Sequence, residues 1–278
     1  MNKATLTHKI HVLLQKTRLP FNALLTHFFL ETILRKLVLT PHSDFFVFKG
    51  GFLLSNQLGI NMRSTIDIDI LLRNSPLNEV NIKEIAAEIC ASEAVPEVQC
   101  TFVSIEPIRA QDEYGGFRAK ILCRLENIRA TIPLDFATGD PITPEPVAYA
   151  YKSLFFEQET AIQSYNAETI LAEKLETIYR LGLLNSRSKD FYDVFTLWST
   201  HKDSIDATIL AQALQRTFHH RGTELNPGYF KTLLDEIAAD KTILSRWTNW
   251  RKKNTFAALV EFSVVIKKIK ELIFMIDL

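Results

Sequence analysis

Apolar positions recur at helical spacing along the first forty residues, where Phe28, Phe29, Leu30, Ile33 and Leu34 fall on successive turns. That stretch is expected to be helical. The pattern then changes: Phe45-Phe46-Val47-Phe48 is a continuous apolar run that stops at Lys49-Gly50-Gly51, as a buried strand ending in a tight turn does. A short helix is expected from Phe52 to about Leu58, with Gly59 as its stop. Residues 66–72 alternate and then run apolar, which predicts a second strand. Ser75-Pro76 reads as a helix start, and Ile82, Ile85, Ala86, Ile89 and Cys90 follow at the spacing of one helix face.

Two alternating runs come next. Phe117, Ala119, Ile121, Cys123 and Leu125 share one face; Ile128, Ala130, Ile132, Leu134 and Phe136 share the face of the following run. With Glu126-Asn127 between them, they predict a β-hairpin. From Thr138 to about Asn166, with Pro141, Pro144 and Pro146, the pattern is that of a loop, and beyond it every segment reads as helix. The expected fold class is α+β. Residues 1–150 would form N-terminal helices plus an α/β domain, and residues 151–278 an α-helical domain completing a cleft, with the boundary falling near 140–165.

Composition narrows this only slightly. Hydrophobic content of 47% with 9 Gly and 10 Pro excludes a disordered chain. Lys+Arg and Asp+Glu both total 32, so net charge does not point to nucleic acid. The distribution is uneven, however. Residues 1–40 carry six Lys or Arg against Glu31, and residues 241–278 carry eight against three acids. Basic ends around an acidic centre suit a metal site with a phosphate-rich partner, and equally suit solvated helix faces. Cys90, Cys100 and Cys123 are odd in number and lack metal-ligand spacing, so no disulfide framework is expected. No signal-like run and no stretch of roughly 18 apolar residues is present, and a cytoplasmic protein without membrane contact is expected. The aliphatic 272–276 is short enough to be a docked helix end.

The chemistry concentrates in Ile66-Asp67-Ile68-Asp69-Ile70. On a strand the isoleucines would share one face and Asp67 and Asp69 the other. Two carboxylates so placed repel unless a cation lies between them, and Mg²⁺ is commonly held by one or two carboxylates plus substrate phosphates. The alternative is two aspartates facing water. Asp135, opposite in phase to Leu134 and Phe136, would complete a set of three if its strand neighbours residues 66–72. Such a set suits a two-metal phosphoryl or nucleotidyl transfer. Gly50 and Gly51, between strand and helix, would let backbone N–H groups approach phosphate. Arg63 lies close enough in sequence to touch phosphate or to neutralise the carboxylates.

Lys49-Gly50-Gly51-Phe52-Leu53-Leu54 followed by Arg63-Ser64-Thr65-Ile66-Asp67-Ile68-Asp69 resembles the AbiEii/AbiGii nucleotidyltransferase toxins, a branch of the DNA polymerase β-like superfamily. Residues 168–175, Glu-Thr-Ile-Leu-Ala-Glu-Lys-Leu, and 187–193, Arg-Ser-Lys-Asp-Phe-Tyr-Asp, resemble that family's helical motifs. The resemblance implies a nucleotidyltransferase-fold mixed sheet, Mg²⁺ (or Mn²⁺) held by Asp67, Asp69 and Asp135, and a nucleoside triphosphate as substrate. Gly50, Gly51, Arg63, Lys174 and Lys189 would contact it, and Asp190 would be a base or a structural partner. It also implies a cognate antitoxin and an RNA acceptor, tRNA 3′ ends in some members, with a protein hydroxyl as the other acceptor. Phe52 departs from the pattern, standing where a hydroxyl residue is expected. So does the lysine motif, which is tight at Lys174-x-x-Thr177-x-x-Arg180.

Lys174 has a second argument. At about 100° per residue it falls inside the apolar arc set by Ile170, Leu171, Leu175 and Ile178, so it must snorkel or meet an anion. Phe191, Val194, Phe195 and Trp198 read as a buried stripe, and Lys189 with Asp193 as an ordinary i, i+4 surface pair. His219-His220-Arg221 could bind metal or nucleic acid, or form a surface turn. Arg251-Lys252-Lys253 beside Trp247 and Trp250 could touch RNA, or be the flank of an amphipathic helix. The function expected is metal-dependent nucleotidyl transfer by a toxin of a toxin–antitoxin pair. The alternatives are γ-phosphoryl transfer at the same site and a non-catalytic binding protein on this scaffold.

Overall fold

The computed structural model describes residues 1–17, 19–108 and 115–276. The chain divides into two units, one of Met1–Gly139 with Val147–Ser164, the other of Asp140–Pro146 with Tyr165–Leu278.

The first unit opens with two helices, α1 (Lys3–Thr17) and α2 (Phe21–Leu37). Then come β1 (Phe46–Lys49), α3 (Gly50–Gln57), β2 (Ile68–Leu72), α4 (Glu79–Ala91), β3 (Gln99–Ile108), β4 (Gly116–Leu125) and β5 (Ile128–Ala137). After an excursion, β6 (Val147–Tyr151) and β7 (Thr160–Ser164) complete it. The strands form one seven-stranded sheet in the order β3-β4-β5-β2-β1-β7-β6. β2 pairs with β5, and β1 with β7, in parallel; the other pairs are antiparallel. This is the expected mixed sheet with flanking helices. Helix α2 packs on β5, and α4 lies over β3 and β4. The core comprises Phe28, Leu30 and Ile33 of α2, Ile82, Ile85 and Ile89 of α4, and Ile68, Ile70, Ile121, Leu134 and Phe136 of the strands.

Three elements differ from the sequence expectation. The stretch read as a loop to Asn166 contains β6 and β7, each five residues long. Their formation depends on partners far away in sequence, because β7 docks beside β1 with Val47 opposite Gln163. The Glu31 carboxylate on α2 helps fix that region, accepting hydrogen bonds from the Leu154 N–H (2.8 Å), the Phe155 N–H (3.1 Å) and the Ser153 hydroxyl. Ile66 does not share the face of Ile68 and Ile70. It lies ahead of β2 and is 67% exposed, whereas the other two are fully buried. Helix α4 starts at Glu79, not at Ser75-Pro76, because Asn78 caps it by accepting from the Asn81 N–H at 2.9 Å. The three cysteines are free thiols, with Cys100 opposite Cys123 across β3 and β4 and their Sγ atoms 3.8 Å apart.

The second unit holds α5 (Ala167–Leu181), α6 (Ser188–His201), α7 (Ala207–His220), α8 (Pro227–Ala239), α9 (Lys241–Lys253) and α10 (Phe262–Met275). Helix α5 packs against α6 and α7, and α6 against α9 and α10. Asn166 caps α5, accepting from the Thr169 N–H at 3.0 Å. Phe191, Val194 and Trp198 form the buried stripe expected on α6, while Phe195 is only half-buried. Glu176 on α5 is fully buried. It accepts from Arg180 Nε (2.8 Å), Arg221 Nη1 (2.7 Å) and Thr223 Oγ1 (2.8 Å), which satisfies a charge that burial would otherwise penalise heavily. Leu272, Ile273 and Ile276 bury the end of α10 while Phe274 stays exposed, so the aliphatic tail is a docked helix end. Among the described residues no helix is long and apolar enough to cross a membrane.

Candidate active site

β1 enters α3 with no intervening loop, and the two glycines make that possible. Gly50 has φ +68°, and a Cβ there would stand 1.9 Å from Asp69 Oδ2. A Cβ on Gly51 would lie 2.8 Å from Thr65 Oγ1 and 3.2 Å from Arg63 Nη2. The turn is glycine because a carboxylate and a hydroxyl already occupy the space over the helix N-terminus. The Gly51 N–H donates to Asp69 Oδ2 at 3.3 Å, and the positive end of the α3 dipole favours that charge. The Thr65 hydroxyl donates to Asp67 Oδ1 at 2.6 Å. Each aspartate therefore keeps one carboxylate oxygen in a defined hydrogen bond. Phe52 is 1% exposed and stacks on Tyr151 at 4.9 Å, so its position serves the core. The hydroxyl beside the glycine turn comes instead from Thr65.

Sheet register extends the site sideways. Lys49 lies opposite Asp69, Asp69 opposite Asp135, Asp135 opposite Arg118, and Arg118 opposite Glu106. Directly paired residues share a face, so five ionic side chains form one row across β1, β2, β5, β4 and β3. Within it two like charges, Asp69 and Asp135, are neighbours, each flanked by a cation. Arg118 grips Asp135 with both ends of its fork, Nε to Oδ1 and Nη2 to Oδ2, each at 2.7 Å. That hydrogen-bonded pair pushes the guanidinium above its ordinary range against the opposing effect of its partial burial, with Asp67 and Glu106 adding to the field. Asp67 itself lies just ahead of β2. The donor set is hard oxygen throughout and so fits Mg²⁺ or Mn²⁺. Among the described residues, though, no three His, Cys, Asp or Glu side chains are arranged to hold an ion together. Both oxygens of Asp135 face Arg118.

In the helical unit the Lys174 ammonium lies 2.9 Å from Asp190 Oδ1 and 2.7 Å from Asp193 Oδ2, and Arg187 Nε lies 2.7 Å from Asp190 Oδ2. Burial alone would lower the lysine pKa, but the two carboxylates outweigh it and hold it above the ordinary value. Burial likewise would raise Asp190, and Lys174 with Arg187 hold it below. Lys174 thus meets anions of its own unit. Asp193 is fully buried, so the surface Lys189–Asp193 pair expected from spacing is replaced by a buried one. Lys189 is exposed in the first turn of α6.

Parts of the weaker basic clusters are taken up in packing, while Lys252 and Lys253 are exposed. Arg221 reaches Glu176, and its Nη2 lies 3.6 Å from both Asp140 and Glu173. Trp247 is buried and donates to the Val260 carbonyl at 3.2 Å. Trp250 packs among Tyr192, Trp247 and Phe256, so neither ring is an open stacking platform. Sequence reasoning missed Thr65 and Arg118 altogether. Arg118 was within its reach, because counting outward from the Leu125–Ile128 pair of a bulge-free hairpin puts it opposite Asp135.

The family model for the nucleotidyl transferase AbiEii toxin of type IV toxin–antitoxin systems matches residues 32–262. No curated protein matches the chain by sequence. Two solved Helicobacter pylori structures share its fold. JHP933 is 15% identical over 93% of both chains, with a TM-score of 0.56. A second chain, described by an inferred nucleotidyltransferase activity, is 16% identical over 93% of this chain and 96% of its own, with a TM-score of 0.57.

Proposed function

This chain belongs to the nucleotidyl transferase AbiEii toxin family, and we propose that it transfers a nucleoside monophosphate from a nucleoside triphosphate to an RNA, with a tRNA 3′ end as the leading acceptor and a protein hydroxyl as the other. The observation that carries this reading is the held carboxylate pair. Asp69 is fixed by the Gly51 N–H and Asp67 by the Thr65 hydroxyl, with Asp135 directly opposite Asp69.

Asp67 and Asp69, with Asp135 as third ligand, are the residues that would hold Mg²⁺ or Mn²⁺. When bound, the ion would neutralise triphosphate charge and acidify the attacking hydroxyl. The chain's own contribution is pre-organisation. The two hydrogen bonds hold the carboxylates in place before any ligand arrives, and reorganisation avoided then is barrier avoided during reaction. In the transfer the acceptor hydroxyl releases its proton to solvent, its oxygen bonds to the α-phosphorus, the bond from that phosphorus to the leaving oxygen breaks, and pyrophosphate departs. Arg63 and Lys49 supply positive charge beside the glycine turn, and we assign Lys189 to phosphate charge of the nucleotide or acceptor. Lys174 and Asp190 hold the start of α6 in place.

The test incubates the protein with Mg²⁺, α- and γ-labelled triphosphates and total RNA or protein extract. Label from the α position in RNA supports the proposal. Label from γ alone replaces it with phosphoryl transfer, and no transfer with any nucleotide replaces it with a binding role. Growth arrest on expression, relieved by a partner gene product, tests the toxin–antitoxin reading separately.

A further inference from the structure

Arg118 is a strong cation seated on the acidic row opposite Asp135. Its fork occupies both oxygens of Asp135 at 2.7 Å, and a bidentate arginine–carboxylate pair is among the stronger and more directional of ionic contacts. A divalent ion needs those same oxygens, and a guanidinium close by repels it. The backbone cannot relieve the conflict, because β4 and β5 stay in unbroken register from Leu125 opposite Ile128 to Gly116 opposite Ala137. Only a side-chain swing can.

The surroundings permit one. The Arg118 side chain is 34% exposed and that of Asp135 12%, so release does not strand a charge in the core. On its other flank Arg118 lies opposite Glu106 of β3, which is 48% exposed and within 2.9 Å of Lys120 Nζ. Arg118 thus has a carboxylate on each neighbouring strand, one of them beside the proposed ligands Asp67 and Asp69.

We propose that Arg118 is a resident competitor for the metal. It neutralises Asp135 while the ion is away and must leave Asp135 before the third carboxylate can coordinate, which sets a lower metal affinity than three bare aspartates would have. The inference rests on the metal reading above, and Arg118 acts in it as a positioning residue.

Calorimetric titration with Mn²⁺, with no nucleotide present, tests it on the wild type, Arg118→Met, Asp135→Asn and the double variant, each checked for folding by circular dichroism. Arg118→Met is expected to bind Mn²⁺ about tenfold tighter, and the gain is expected to vanish when Asp135 is Asn. Unchanged or weaker binding in Arg118→Met overturns the proposal, as does an equal gain in the Asp135→Asn background, which would mark a through-space charge effect. If Arg118→Met does not fold, Arg118→Lys keeps the charge without the fork and is read the same way, with a smaller gain. Wild type that binds Mn²⁺ without a gain in the variant overturns this inference alone. Mn²⁺ bound by neither overturns the metal reading together with it.

Discussion

The acidic row on the sheet and the lysine cluster of the helical unit are made of the same chemistry, carboxylates gripped by cations at 2.7–2.9 Å. They differ in access to water. Arg118 and Asp135 are 34% and 12% exposed, whereas Asp190 and Asp193 are 2% and 0%. They differ also in arrangement. On the sheet two aspartates sit side by side in register, which leaves like charges adjacent. Among the helices Asp190 and Asp193 turn to one shared lysine, with Arg187 on the other oxygen of Asp190. A closed, buried cluster holds structure together, because removing either partner strands a charge. An accessible one with adjacent like charges can exchange its cation, which is what a ligand site requires.

The largest expected effect falls on the buried cluster. Lys174→Met should cost about 3–5 kcal/mol, the usual penalty for leaving buried carboxylates uncompensated, read as a lower urea midpoint at neutral pH. That penalty should shrink in acid. The lowered pKa of Asp190 contributes stability above the ordinary carboxylate range that is lost as pH falls through its folded value. The variant keeps only the share of that contribution that Arg187 supplies. The raised pKa of Lys174 works at the other end, contributing below the ordinary lysine value and fading as pH rises past its folded one. Urea midpoints of both proteins at about pH 3.5 and pH 7 measure the change, and a penalty independent of pH would break the contrast.

Asp69→Asn should act the opposite way. Transfer activity should fall about 100-fold or more, since metal-supported charge stabilisation is worth several kcal/mol, while stability stays level or rises slightly as repulsion with Asp135 is relieved. A variant as destabilised as Lys174→Met would make the row structural. Gly50→Ala comes next. Its Cβ would overlap Asp69 Oδ2, and φ +68° is strained for alanine, so about 1–3 kcal/mol of stability and most of the activity should go together. The smallest effect is expected at Lys83, whose pair with Glu79 at 2.5 Å is half-exposed. Lys83→Ala should cost about 0.3–0.5 kcal/mol and leave activity unchanged, which calibrates both clusters.

Local pattern determined much of this protein. The helical periodicity of α2, α4 and α6, the β4–β5 hairpin and the glycine turn after β1 were legible because each depends on residues a few positions apart. Asp69 and Asp135 were legible for the same reason, as phase along a strand, whereas Asp67 lies just ahead of β2. What local pattern could not determine was company. β6 and β7 are short, and β7 becomes a strand only where β1 offers an edge. β3 is an edge strand with no fully buried residue and an alternation broken by a register shift after Phe102. The surroundings of Phe52 and Asp193 were set by Tyr151 and Lys174, far from them along the chain. Whether Lys174 would reach water, phosphate or a buried aspartate was likewise open from its helix alone. An ionic side chain takes its meaning from the charge it meets, and tertiary packing chose Asp190 and Asp193 for Lys174.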